Sequence, residues 1–161
     1  MNHLERLIYQ YYEWQGYIVR ANTLVGRRAN GGYDCELDIV AYHPETEHLI
    51  HIEPSLDADS WEKRENRFTK KFIAGQKHIK TSVLPWLKDT IHPIEQIAVL
   101  ISSAKNYPTI GGGKVVNLDE LTREIKEKVI SRGVMVKNAI PERYDLLRTI
   151  QLALCGYYRV V

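Results

Sequence analysis

Two carboxylates on neighbouring extended segments carry the first hint of chemistry in this sequence. Glu36-Leu-Asp-Ile-Val-Ala-Tyr42 and, after a short turn, Leu49-Ile-His-Ile-Glu-Pro-Ser55 read as adjacent strands, one bearing Asp38 and the other Glu53. Side chains alternate along a strand, so Glu36, Asp38 and Val40 share one face while Leu37, Ile39 and Ala41 share the other. On the second strand Leu49, His51, Glu53 and Ser55 share a face, with Ile50 and Ile52 opposite. Two acids set side by side repel and lose hydration, which asks for a divalent cation, a shared proton or a basic partner from elsewhere in the chain. A hairpin register that pairs Asp38 with Glu53 offers Mg²⁺ or Mn²⁺ hard oxygen ligands, and the Pro54 carbonyl adds a further oxygen. An ion held there polarises a phosphoryl oxygen, helps deprotonate water and neutralises a leaving group.

The elements that must position these acids follow from periodicity and turn chemistry. His3 to Gln15 reads as a helix, with Leu4, Leu7, Ile8, Tyr11 and Tyr12 at helical spacing and Gly16 as its stop. Tyr17 to Ala21 is a short strand, and the segment from Asn22 to Tyr33 is a loop or hairpin rich in turn residues. The two acid-bearing strands are joined by the turn at His43 to Thr46, the spacing of an antiparallel hairpin. A helix begins after Asp57-Ala-Asp-Ser60, with Asp59 or Ser60 as its cap, Glu62 completing a capping box with Asp59, and Trp61, Phe68 and Phe72 as its buried stripe. Gln96 to Ser102 is a near-continuous apolar run typical of a buried strand. A Gly-rich loop at Gly111 to Gly113 and a strand from Lys114 to Leu118 come next. The last elements are helices from about Asp119 to Ser131, ended by Gly133, and from Pro141 to Leu154, with Gly156 beyond. The sum is α/β, a central mixed sheet flanked by helices, in a single domain over residues 1–161.

Composition narrows the function classes. A chain of 161 residues is long enough to bury a core without disulfides or structural metal, and its 44% apolar and 26% charged residues match a soluble globular protein. Cys35 and Cys155 lie far apart with no ligand or redox spacing, which fits a reduced cytoplasmic setting. No stretch approaches the ~20 apolar residues of a membrane span. The net charge of +2 is small, but its distribution is uneven. Between Trp61 and Lys80, seven basic residues stand against Glu62 and Glu65, leaving that segment at +5 and the remainder slightly acidic. A basic helix, with Lys63, Arg67 and Lys70 among its charges, beside an acidic centre suits a polyanion held near a metal; a solvated helix face is the plainer reading.

The order of elements around Asp38 and Glu53 resembles the PD-(D/E)XK nuclease superfamily, including restriction endonucleases that cleave modified DNA. The resemblance spans most of the chain: helix, strand, Gly/Arg-bearing loop, Asp38 strand, Glu53 strand, basic helix, apolar strand, then a short strand and helix. It implies a restriction endonuclease-like fold, DNA as substrate, Asp38 and Glu53 as metal ligands, and Glu5 on the first helix as a third acid acting through water. Glu36 can substitute for either ligand, and members that cut both strands often form homodimers. The family carries lysine two positions after the glutamate; this chain carries Ser55. A hydroxyl supplies no cation to orient water or balance charge on phosphorus. With Trp61, Phe68 and Phe72 facing inward at about 100° per residue, Arg64 and Lys71 flank the stripe, so either is the candidate for a relocated cation. Lys63 and Lys70 point away, and Glu65 falls near the centre of the stripe. Two functions follow: a metal-dependent nuclease-like phosphodiesterase acting on DNA, or a catalytically inactive nucleic-acid-binding or protein-interaction module that keeps the fold.

The other constellations carry less. His48 and His51 lie on opposite faces of one strand and cannot chelate an ion together, although His51 shares the Glu53 face. Gly111-Gly-Gly-Lys114 lacks P-loop spacing and reads as a turn. Arg27 and Arg28, beside Gly26, can reach nucleic-acid phosphates from a loop. No nucleophile triad is visible.

Overall fold

The computed structural model describes residues 1–101, 107–133 and 138–155. The first helix, α1 (His3–Trp14), starts with a reciprocal cap: Asn2 Oδ1 accepts the Glu5 N–H at 3.0 Å, and Glu5 Oε2 accepts the Asn2 N–H at 2.9 Å. Leu4, Ile8 and Tyr11 form its buried stripe, and Gly16 at φ 94° turns the chain into the sheet. Strands β1 (Ile18–Arg27), β2 (Tyr33–His43) and β3 (His48–Ser55) form an antiparallel meander. The chain then crosses over through α2 (Trp61–His78), a turn of π-helix (Ile79–Val83) and a 3₁₀ turn (Pro85–Leu87) to β4 (Ile94–Leu100), parallel to β3. A short β5 (Thr109–Ile110) and β6 (Gly113–Asn117) complete a six-stranded mixed sheet in the order β1-β2-β3-β4-β6-β5, followed by α3 (Leu118–Ser131) and α4 (Asp145–Leu154).

Alternation along the strands feeds two cores. Ile39, Ala41, Ile50, Ile52, Ile97 and Val99 meet α1, α3 and α4 on one face. On the other, Val40, Tyr42 and Leu49 meet α2 and the turns after it, while Phe68 and Phe72 pack on Ala98 and Leu100. The expected α/β architecture, helices on both faces of a mixed sheet, is the one observed.

The structure differs from the sequence reading at four places. β1 continues through Asn22 to Arg27, because only Asn22 (φ 47°) and Gly26 (φ 68°) leave the ladder, and pairing with β2 resumes at once after each. Leu37 packs with Val25 and Val40 on the α2 side instead of following Ile39, so alternation breaks beside the Asn22 kink. The cap of α2 is Ser60 alone, its hydroxyl accepting the Lys63 N–H at 3.5 Å, while Asp59 pairs with Arg67. Helix α4 starts at Asp145, after a turn in which the Tyr144 N–H reaches the Pro141 carbonyl at 2.9 Å. Ser102 and Gly156, taken as element ends, lie outside the described residues.

Candidate active site

The β2–β3 ladder ends at the two acids. Continuing the register one step beyond Ile39 and Ile52 puts Asp38 opposite Glu53. There the Asp38 N–H donates to Glu53 Oε1 at 3.1 Å rather than to a strand carbonyl, and β3 goes on paired with β4 as far as Ser55 opposite Leu100. The two strands thus fork at the carboxylates. The fork opens into a cleft of about 280 Å³ lined by Asn2, Asp38, Glu53, Ser55, Arg67 and Lys71, among others.

Lys71 closes the pair. With Phe68 and Phe72 buried against the sheet, the same helix face carries Lys71 over the fork, where Nζ lies 2.6 Å from Asp38 Oδ1 and also donates to Glu53 Oε2. Of the two cations expected to flank the stripe, Lys71 reaches the acids; Arg64 turns to Asp57. Glu53 is 1% exposed and Asp38 14%, so these charges sit where water screens them poorly.

Behind Glu53 stands His51, which is fully buried. Its Nε2 lies 2.7 Å from Glu53 Oε1, and its Nδ1 lies 3.2 Å from Gln96 Nε2, which also donates to the Phe72 carbonyl at 2.8 Å. An amide nitrogen only donates, so Nδ1 accepts and Nε2 carries the proton toward Glu53. Burial, with the Lys71 charge adding to it, pushes His51 down to about 3, so the ring is a neutral donor that orients Glu53. Gly75 makes room for it: a Cβ there would stand 2.4 Å from His51 Nδ1.

The charge sum explains the remaining electrostatics. With His51 neutral, one ammonium faces two carboxylates, and the site is short of one positive charge. Asp38 responds: burial first, then hydrogen bonding to Glu53 and its charge, push it up to about 7 against the pull of Lys71. Burial also works against the Lys71 ammonium, but Glu53 and Asp38 outweigh it and hold that group above its usual range. Of the three options open for two adjacent acids, the structure supplies the basic partner, Lys71, and leaves Asp38 with a raised affinity for a proton. Two hard carboxylate oxygens with Pro54 beside them fit Mg²⁺ or Mn²⁺ in donor type, with water completing the shell, although Lys71 now bridges the acids. Among the described residues no three His, Cys, Asp or Glu side chains gather as a metal-binding group.

Other expected participants sit elsewhere. Glu5 is held in its capping box and by Asn22 Nδ2 at 3.3 Å; the same Asn22 amide donates to Glu36 Oε1 at 3.0 Å. Neither acid lines the cleft. Ser55 does line it, and its hydroxyl donates to Asp57 Oδ2 and accepts from Arg67 Nη2 at 3.1 Å. Lys63 and Lys70 are exposed on α2, and Arg28 pairs with Asp34 at 2.8 Å near the exposed Arg27. Glu65, conspicuous near the apolar stripe, accepts the Gly111 N–H at 2.9 Å and pins the Gly-rich turn to α2. On the opposite sheet face His48 bridges the Tyr17 hydroxyl at 2.8 Å and Glu95 at 2.7 Å. Sequence reasoning missed Gln96 and Asp57. A lone amide in the apolar run of β4 was the signal for the first; Asp57 gave none beyond its place before a helix.

No protein-family model, curated protein or solved structure matches the chain. Among the described residues no helix is long and apolar enough to cross a membrane.

Proposed function

We propose that this protein is a metal-dependent phosphodiesterase of nuclease type acting on DNA, built on the PD-(D/E)XK plan with its cation moved from β3 to α2. The observation that carries the reading is the convergence of Asp38, Glu53 and Lys71 from three separate elements on one cleft. Lys71 supplies the positive charge that Ser55 lacks and balances charge developing on phosphorus. His51 holds Glu53 in one orientation through a neutral hydrogen bond, and Asp38, opposite Glu53 and paired to Lys71, would be kept as a carboxylate by a bound cation. Asp38 and Glu53, with the Pro54 carbonyl, would hold Mg²⁺ or Mn²⁺, which would supply Lewis acidity toward phosphoryl oxygen and water. Lys63, Arg67 and Lys70 on α2, and Arg27 and Arg28 on the β1 side, give the nucleic-acid backbone its contacts. The reduced cytoplasm suits the two free cysteines, and a homodimer would serve double-strand cleavage.

A second reading has one observation in its favour: Lys71 already spans the interval between the carboxylates and neutralises one of them. On that reading the chain binds nucleic acid or protein without cutting. Incubating plasmid and single-stranded DNA with Mg²⁺ or Mn²⁺ separates the two. Cleavage that falls about 100-fold or more in Asp38→Ala, Glu53→Ala and Lys71→Ala supports the hydrolytic reading; cleavage indifferent to all three refutes it, and salt-dependent binding without cleavage supports the second.

A further inference from the structure

At the end of β3 one carboxylate is held the way an enzyme holds a phosphate. Asp57 Oδ2 accepts from the Ser55 hydroxyl and from Arg67 Nη2, while Oδ1 accepts from Arg64 Nε at 3.1 Å and the Asp59 N–H at 3.2 Å. Two guanidinium groups, a hydroxyl and a backbone amide converge on two oxygens sharing one negative charge. A phosphodiester offers the same charge and the same pair of oxygens, and arginine forks suit either.

We propose that Ser55, Arg64 and Arg67 form a phosphate-binding site on the rim of the Asp38–Glu53 cleft, and that the Asp57 carboxylate occupies it as an internal stand-in until a nucleic-acid phosphate replaces it. Taken as a site for nucleic acid, this rests on the hydrolytic or nucleic-acid-binding reading above. Each guanidinium group has a second partner besides the Asp57 carboxylate. Arg64 Nη2 donates to the Asp57 backbone carbonyl at 2.5 Å, and Arg67 Nη1 to Asp59 Oδ2 at 3.0 Å. The carboxylate is 30% exposed, so water can reach it on release; burial works against its charge, but Ser55, the Asp59 N–H, Arg67 and Arg64 outweigh that and hold it down at about 2, a hold that an incoming phosphate inherits from the same donors. Ser55, Asp57 and Arg67 line the same cleft as Asp38, Glu53 and Lys71, which places the phosphate beside the acids. Ser55, where the family resemblance calls for a cation, becomes a donor to the backbone of the bound strand.

The experiment is titration with inorganic phosphate, followed by calorimetry. Asp57→Asn keeps the side-chain shape and removes the competing charge, and it binds phosphate at least roughly fivefold tighter than the unmodified protein, the worth of one like charge about 4 Å away with the released carboxylate fully in water. Adding Arg67→Ala to that variant removes the gain. Equal affinity in Asp57→Asn and the unmodified protein, or a gain that survives Arg67→Ala, overturns the proposal and leaves Asp57 as an anchor for α2. Should Asp57→Asn fail to fold, the unmodified protein decides: phosphate shifts the Arg64 and Arg67 side-chain N–H resonances, and unmoved resonances overturn the site. Phosphate binding of this kind with DNA left intact refutes the hydrolytic reading alone; DNA cleavage with no gain in Asp57→Asn refutes the phosphate site alone.

Discussion

Replacing Lys71 with methionine keeps the length and packing of the side chain while removing the charge between Asp38 and Glu53. At 2.6 Å and an effective dielectric of about 20, the attraction to Asp38 alone is ~6 kcal/mol, most of it offset by the desolvation of the three groups. Breaking such a buried pair costs about 3–5 kcal/mol. Asp38 can limit the loss by taking a proton, and its affinity for one sets the pH dependence. It titrates at about 7 in the folded protein against about 4 in the unfolded chain. Its contribution to stability is therefore present below about pH 4 and lost as pH rises through 7. Without Lys71 the folded value rises further, so the variant holds one proton between the two acids at pH 5.5 and loses it only in alkali. We expect a deficit of about 1 kcal/mol at pH 5.5 and about 2.5 kcal/mol at pH 8, the growth being one proton's worth over the pH unit above 7. For a chain of this size the latter lowers Tm by about 5–10 °C. A divalent ion takes the place of the lost ammonium, so Mg²⁺ at pH 8 raises Tm more in Lys71→Met than in the unmodified protein. Scanning calorimetry at both pH values, with and without Mg²⁺, measures each term. An equal deficit at the two pH values, or equal Mg²⁺ responses, would refute the charge accounting.

Two further substitutions probe the support behind the acids. His51→Phe removes the donor to Glu53 and the acceptor for Gln96, at about 1–3 kcal/mol in urea unfolding. It also changes the pH profile: His51 at about 3 loses stability as pH falls from 6.5, opposing the Asp38 slope, so the variant gains stability on acidification to pH 4.5 while the unmodified protein stays nearly level. Gly75→Ala favours the helix by about 1 kcal/mol through propensity but drives a methyl group into the His51 ring, so a net loss of about 1–2 kcal/mol is expected from the urea midpoint; a gain would show that the ring yields.

The legible and hidden parts of this site divide by range. Alternation placed Asp38 and Glu53 on matching faces, because a strand has a period of two and the turn between them is short. Helical periodicity brought Lys71 to the inward flank of α2, but whether Lys71 or Arg64 met the acids depended on where α2 docks, which Phe68 and Phe72 decide only in three dimensions. β1 was harder: Asn22 and Gly26 carry turn chemistry, and their kinks are absorbed by an otherwise continuous ladder. Nothing local foretells that a single amide, Asn22, ties Glu5 and Glu36 together, with neither side chain lining the cleft. Glu65 looked misplaced for its helix until the Gly111 turn supplied its donor.

The kinks of β1 reach beyond its pairing with β2. This strand is one border of the sheet, and at ten residues it offers a long open row of backbone donors and acceptors of the sort that recruits another chain. Left-handed steps at Asn22 and Gly26, four residues apart, break that row into short runs. An incoming strand would find no straight template longer than a few residues. The same distortion that accompanies the departure of Leu37 from alternation beside Asp38 thus makes the exposed border a poor seed for aggregation.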